Sequence, residues 1–197
     1  MESMNYNKAA YLTSATTLEQ LPMDDGHEVA FIGRSNAGKS SAINAITNVT
    51  GLARTSSTPG RTQMINYFVI DDAHRLVDLP GYGFAKVPPA VKMRWQNLIV
   101  DYLETRKSLA GLILVMDSRH PLKDLDQQMI AWCVDFQVPL HILLTKADKL
   151  TKSAQQNALF TVEKALSTMG DISVQLFSAL KKTGVDAARK KIDVFYG

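Results

Sequence analysis

The chain has 197 residues, of which 46% are hydrophobic and 21% charged, with a net charge of +3. That length suits a single domain able to bury roughly 70% of its unfolded surface without staples. No apolar run is long enough to span a bilayer, Met1 to Asn7 lack the basic and apolar parts of a secretion signal, and Cys133, the lone cysteine, has no partner for an internal disulfide. A cytoplasmic protein is expected.

Residues 1–26 read as a polar extension packed on or flanking one domain of residues 27–197. Apolar Val29, Ala30, Phe31 and Ile32 form a short strand within Glu28 to Ile32, and Ser41 to Ile46 open a helix. Between them stands Gly33-Arg34-Ser35-Asn36-Ala37-Gly38-Lys39-Ser40, which completes the GxxxxGK[ST] pattern. The glycines let backbone N–H groups face a phosphate, the helix start adds partial positive charge, Lys39 reaches the outer phosphate oxygens and the Ser40 hydroxyl suits Mg²⁺. Next comes Gly51 to Gln63, rich in Ser, Thr and Gly, where Thr62 is the choice for a second Mg²⁺ ligand, with Thr55 and Thr58 as rivals. Strands at Ile65 to Ile70 and Arg75 to Leu79 are joined by a hairpin-length turn and should be antiparallel. Asp78-Leu79-Pro80-Gly81 closes the second of them, placing a carboxylate near Mg²⁺ and a glycine N–H near the γ-phosphate; a plain strand-ending turn is the alternative. Gly81 to Ala90 again reads as irregular.

The helix carrying Val91, Trp95, Leu98, Ile99, Tyr102 and Leu103 on one face leads to a strand at Gly111 to Asp117. A second stripe, Leu122, Leu125, Met129, Trp132, Cys133 and Phe136, follows with Pro121 at its entrance. These faces, aromatic residues included, read as core, and Cys133 as a packed thiol. The strand at Leu140 to Thr145 ends in Thr145-Lys146-Ala147-Asp148. Asp148 can accept two hydrogen bonds from guanine N1 and N2 groups, which adenine cannot offer, and the Lys146 stem can cover the base. Ala158, Val162, Ala165, Leu166 and Met169 make a third stripe. A strand at Val174 to Phe177 precedes Phe177-Ser178-Ala179, small residues whose backbone can approach the guanine oxygen. A last stripe, Val185, Ala188, Ile192 and Phe195, shares its segment with Lys181, Lys182, Arg189, Lys190 and Lys191, opposed there only by Asp186. That cluster is either a solvated helix face or an RNA contact. The order of elements predicts an α/β fold: a doubly wound, six-stranded, mainly parallel sheet with one antiparallel strand and helices on both faces.

Phosphate loop, switch threonine, DxxG, [NT]KxD and a small-residue base loop follow the order of translation-factor-class P-loop GTPases. Through GRSNAGKSS, TSSTPGRTQ, DLPGYGFA, MDSRHPLKDLDQQM, TKADKL, FSALKK and an amino-terminal NYNKAAYLTSA, nearly the whole chain resembles the EngB family, also called YihA or YsxC, of bacterial ribosome-assembly GTPases. The resemblance implies binding of GTP and GDP with Mg²⁺, a large ribosomal subunit partner, and a link to cell division and septation. It places Gly33, Arg34, Ser35, Asn36, Ala37, Gly38, Lys39 and Ser40 on the phosphates. Gly60, Arg61, Thr62, Gln63 and Met64 fall in the first switch and Asp78, Leu79, Pro80 and Gly81 in the second. Thr145, Lys146, Ala147, Asp148, Phe177, Ser178 and Ala179 surround the base. Lys39, Thr62 and Gly81 are expected to serve hydrolysis itself, and Ser40 and Thr62 to hold the metal.

Tyr82 stands where many small GTPases carry a water-orienting glutamine, so intrinsic hydrolysis is expected to be slow and partner-stimulated. Asn36 resembles the potassium-binding asparagine of cation-dependent relatives; it either holds K⁺ or merely tolerates the loop's conformation. Thr145 replaces a common asparagine with a group of fewer hydrogen bonds. A monomer with no membrane partner is expected. The alternatives are a nucleotide-binding module with negligible turnover and a P-loop small-molecule kinase, for which no lid segment stands out.

Overall fold

The computed structural model describes residues 4–54, 64–83 and 89–197. Seven strands form one sheet: β1 (Ala10–Ala15), β2 (His27–Gly33), β3 (Ile65–Val69), β4 (His74–Asp78), β5 (Leu109–Asp117), β6 (Leu140–Thr145) and β7 (Ile172–Leu176), in the order β1-β3-β4-β2-β5-β6-β7. β4, β2, β5, β6 and β7 pair in parallel, while β3 runs against both β1 and β4. The single reversed strand is the one expected, but the sheet has seven strands where six were expected. The added strand is β1, which carries Tyr11, Leu12, Thr13 and Ser14 on a sheet edge and buries only Ala15, so it has no apolar run to announce it. Its register with β3 slips between Tyr11 and Thr13.

Alternation along β2 shows why helices cover both faces. Val29 and Phe31 point to one side, where α1 (Lys39–Thr47) and α5 (Val185–Tyr196) contribute Ile43, Ile46, Ala188 and Ile192. Ala30 and Ile32 point to the other, beneath Leu98 and Tyr102 of α2 (Pro89–Thr105), Ile130 and Cys133 of α3 (Asp124–Asp135), and Val162 and Leu166 of α4 (Lys152–Leu166). Burial pushes the Cys133 thiol up to about 12, as befits a packed group. Because α1 leaves β2 on one face and α3 leaves β5 on the other, a crevice opens at the carboxyl ends of these neighbouring strands.

Two stripes need adjustment. Helix α3 starts at Asp124, not at Pro121, since Leu122 takes φ +57° and Lys123 donates its N–H to Asp126. Phe136 stacks on Trp132 at 4.6 Å yet is 52% exposed, whereas Asp126, one turn from Leu122, is buried in the stripe. Ala165 is exposed on the last turn of α4, and Met169, past the end of that helix, is exposed as well.

The opposite end of β2 holds a buried carboxylate. Glu28 is fully buried; it accepts from Tyr102 Oη at 2.9 Å, from Tyr67 Oη at 3.2 Å and from Arg106 Nη2 at 2.6 Å. Breaking such a pair from one side strands a charge in the interior, which typically costs about 3–5 kcal/mol. Arg106→Met should therefore lower stability by about that amount in urea unfolding, and Glu28→Met combined with Arg106→Met should recover much of it.

Candidate nucleotide-binding site

Strand β2 ends at Gly33 and helix α1 begins at Lys39, so Arg34 to Gly38 turn the chain through the crevice. Gly33 lies against β5, where a Cβ would collide with the Val115 carbonyl. Gly38 caps α1 at φ +98°, a conformation that only glycine takes easily, and Asn36 sits at φ +63°. The opening N–H groups of α1, from Lys39 and Ser40, have no intrahelical carbonyl to meet and face outward as donors. Within the loop, Ala37 N–H turns back to the Arg34 carbonyl at 3.0 Å and Ser35 N–H goes to the Tyr82 carbonyl at 2.8 Å.

Parallel pairing brings the second segment alongside. Phe31 is in register with Asp78, and beyond it Leu79 N–H donates to Phe31 and Tyr82 N–H to Gly33. Asp78 thereby reaches α1, and its carboxylate pairs with the Lys39 ammonium. Leu79 and Pro80 are buried beneath it, and Gly81 backs onto Gly33 and Ser35. The Ser40 hydroxyl stands 3.3 Å from the Arg54 carbonyl. Tyr82 turns its ring away toward α3, where its hydroxyl donates to Asp126 Oδ1 at 2.6 Å. Burial raises the Tyr82 phenol, and Asp126 reinforces the shift; burial likewise raises Asp126 against the pull of its hydrogen bonds.

The third segment arrives on β6. Thr145 is buried, and its hydroxyl contacts the Ala37 carbonyl of the phosphate loop and, at 3.0 Å, the Met116 carbonyl of β5. Lys146, at φ +57°, extends its ammonium to the Asn36 carbonyl at 2.6 Å and to Asp117 Oδ2 at 3.0 Å. Asp117 also takes both arms of Arg119, at 2.9 and 2.7 Å. Burial alone would raise this carboxyl, but Arg119 and Lys146 hold it well below the usual carboxylate range. Between these groups and Arg34, Asn36 and His120 lies a cavity of about 220 Å³. Ala147 N–H donates to the Phe177 carbonyl at 3.2 Å, Gln155 of α4 braces Ala147 from behind, and Phe177 is buried. Ser178 Oγ donates to Asp148 Oδ1 at 2.6 Å and accepts the Lys181 N–H at 3.1 Å, while Ala179 is half-buried beside it.

Gly33 to Ser40, Asp78 to Gly81, Thr145 to Asp148 and Phe177 to Ala179 thus meet at one end of the sheet. Met64 is 40% exposed just before β3. Gly60, Arg61, Thr62 and Gln63, with the rivals Thr55 and Thr58, lie outside the described residues. Sequence reading passed over Asp117, the Ser178 hydroxyl and Asp126. The signal for Asp126 was present, because it falls four residues after Leu122 on an otherwise apolar face; the others carry no period or motif.

A phosphate loop tied directly to a TKxD segment across a doubly wound sheet assigns the chain to the P-loop GTPases. A family model described as 50S ribosome-binding GTPase matches residues 28–146. A "Probable GTP-binding protein EngB" of Enterobacter sp. (strain 638) is 55% identical over 197 residues, covering 100% of this chain and 95% of that one. Its namesake in Coxiella burnetii (strain RSA 493 / Nine Mile phase I) is 54% identical over 192 residues, covering 97% and 94%. A solved structure, "Crystal structure of a probable GTP-binding protein engB", superposes with a TM-score of 0.70 at 22% identity over 86% of this chain and 98% of that one, a likeness of fold. The chain belongs to the EngB family of GTPases.

Asp117 ties the base segment to the phosphate loop through Lys146, so Asp117→Asn should weaken GDP binding several-fold at neutral pH. Its carboxyl is depressed in the folded state, so its contribution to stability is complete above the ordinary carboxylate range, near pH 4, and fades as pH falls below it. In thermal unfolding the gap between wild type and variant should accordingly narrow on acidification.

Proposed function

We propose that this GTPase is a cytoplasmic switch in large ribosomal subunit assembly, docking in one nucleotide state and leaving in another, with slow intrinsic hydrolysis that the ribosomal partner accelerates. The observation that carries the reading is the Asp148 carboxylate, fixed by Ser178 within the segment that grips the phosphate loop. Two acceptor oxygens in a fixed place match the two donors on the guanine edge, and any base lacking them leaves the carboxylate unpaired. A kinase reading offers no use for this group. Among the described residues, no helix is long and apolar enough to cross a membrane.

The donor set suits magnesium. Ser40 offers a hydroxyl and Asp78 a carboxylate, hard oxygens of the kind Mg²⁺ takes beside phosphates and water. Ser40 and Thr62 would be its protein ligands in this proposal, and the ion would supply positive charge against the phosphate oxygens. Lys39 leaves Asp78 for the phosphates, where its charge favours a transferring phosphoryl group. The Gly81 N–H lies beside the phosphate loop as a γ-phosphate sensor. Tyr82 has its hydroxyl committed to Asp126 and orients no water, which supports slow turnover until a partner or a K⁺ ion beside Asn36 supplies what is missing. The resemblance to EngB proteins extends the proposal to a monomer needed for normal cell division and septation.

Lys39→Ala should abolish measurable GTP and GDP binding in calorimetry. Asp148→Asn should cost about 10²-fold or more in GTP affinity while improving that for xanthosine triphosphate, since an acceptor becomes a donor. Retained guanine preference would refute the base assignment.

Co-sedimentation with large ribosomal subunits under GDP, GTP and a non-hydrolysable analogue tests the switch. Binding should differ at least about tenfold between nucleotide states, a coupling within the usual allosteric range, and the subunits should speed single-turnover hydrolysis. Equal binding in every state would leave a nucleotide-binding module without a switch.

A further inference from the structure

From the geometry we infer that the 179–184 turn and the groove between α1 and α5 form a docking surface for an RNA sugar-phosphate backbone. The groove has a volume of about 340 Å³ and is lined by Asn7, Asn48, Lys182, Asp186 and Arg189. Such a space is at the small end of ligand-binding clefts; Asn7, Asn48, Lys182 and Arg189 offer it amides and cations, the groups that contact phosphate and sugar oxygens, beside the Asp186 carboxylate and apolar Ala45 and Val185. The inference rests on the ribosomal reading above only for the identity of the RNA.

The charge on this face is unbalanced for a structural reason. Helix α5 carries two acids, and both are engaged: Asp193 accepts the Tyr6 hydroxyl at 2.6 Å and Asp186 lies 3.6 Å from Arg189. Arg189 is spoken for as well, donating its Nε–H to the Ile46 carbonyl at the end of α1 at 2.7 Å. Lys181, Lys182 and Lys190 are exposed, and no carboxylate among the described residues pairs with them. The turn that bears two of them is preformed. Ser178 N–H donates to the Thr183 carbonyl at 3.0 Å, Gln175 Nε2 to the Gly184 carbonyl at 2.7 Å, and Lys182 takes φ +57°. Leu180 projects from the same turn, 72% exposed, a lone apolar side chain placed for a ribose or base edge. Unopposed, exposed cations on a preformed turn suit a polyanion, whose condensed counterions are released as lysines neutralise its phosphates. The turn also hangs from the guanine-reading carboxylate, because the hydroxyl that donates to Asp148 accepts the Lys181 N–H. Nucleotide and RNA would thus be felt by one hydrogen-bond chain.

The test compares three GDP-loaded proteins: wild type, a variant with Lys181→Gln, Lys182→Gln and Lys190→Gln, and a control with Lys107→Gln, Lys152→Gln and Lys164→Gln, which removes equal charge on the other face. Each is titrated against a fluorescein-labelled RNA hairpin and against large ribosomal subunits across a range of KCl concentrations, with GDP affinity confirming that all three are folded. The first variant should bind RNA at least about tenfold more weakly, with a shallower salt dependence by about one unit of slope per lost phosphate contact, while the control stays near wild type. Wild-type affinity and slope in the first variant, an equal loss in the control, or failure of wild type to bind the hairpin at all while it binds subunits would each overturn the inference. Wild type that binds the hairpin through these lysines but never sediments with subunits would instead sink the ribosomal reading and leave the RNA surface standing.

Discussion

A buried hydroxyl at the tip of β6 organises the nucleotide end of the molecule. Thr145 Oγ1 sits against the carbonyls of Ala37 and Met116, and the neighbouring Lys146 ammonium reaches the Asn36 carbonyl. Buried carbonyls must find donors, so the phosphate loop cannot relax without unpairing groups on two other strands. Strands β2 and β6 are separated by β5, yet their tips are joined more directly than the sheet alone would join them. The TKxD segment and the phosphate loop are therefore one mechanical unit. The hydroxyl has a single proton, which the Ala37 and Met116 carbonyls share, so Thr145 makes fewer bonds here than a carboxamide could.

Around that unit, ion pairs hold mobile side chains in waiting positions. Lys39 rests on Asp78 and Lys146 on Asp117, each cation parked against the carboxylate of an adjacent strand. Under the proposed function, Lys39 exchanges the Asp78 carboxylate for a phosphate and stays neutralised throughout, so its change in desolvation is smaller than for a bare charge. Tyr82 obeys the same logic with a neutral donor: its phenol fastens the segment after Gly81 to Asp126 and thus to α3. Any rearrangement of that segment must part a half-buried hydroxyl from a buried carboxyl, a local threshold against motion.

Much of this was legible in the sequence. Parallel strands buried on both faces read as short apolar runs, and the phosphate-loop, DxxG and TKxD motifs each stand at the end of one, so their order along the chain marked the α/β class and these members of the site. The hidden parts are those without a period. β1 lies on an edge, with Ala10, Tyr11 and Leu12 exposed and Thr13 and Ser14 following, which deprives it of the apolar run that marked its neighbours. Asp117, Ser178 and Asp126 act through contacts made across the sheet, and distance along the chain conceals such partners. The start of α3 was misplaced because proline often opens helices, whereas here the left-handed Leu122 interposes a turn.

The slipped register of β1 carries a consequence for the molecule as a whole. A sheet this regular has two borders, and the one formed by β1 shows Tyr11 at 58% and Leu12 at 44% exposure. Left straight, a strand of that kind would be a template for intermolecular pairing. The irregularity between Tyr11 and Thr13 kinks the border where its side chains are stickiest, and a kinked edge offers a stranger's backbone no continuous ladder to extend.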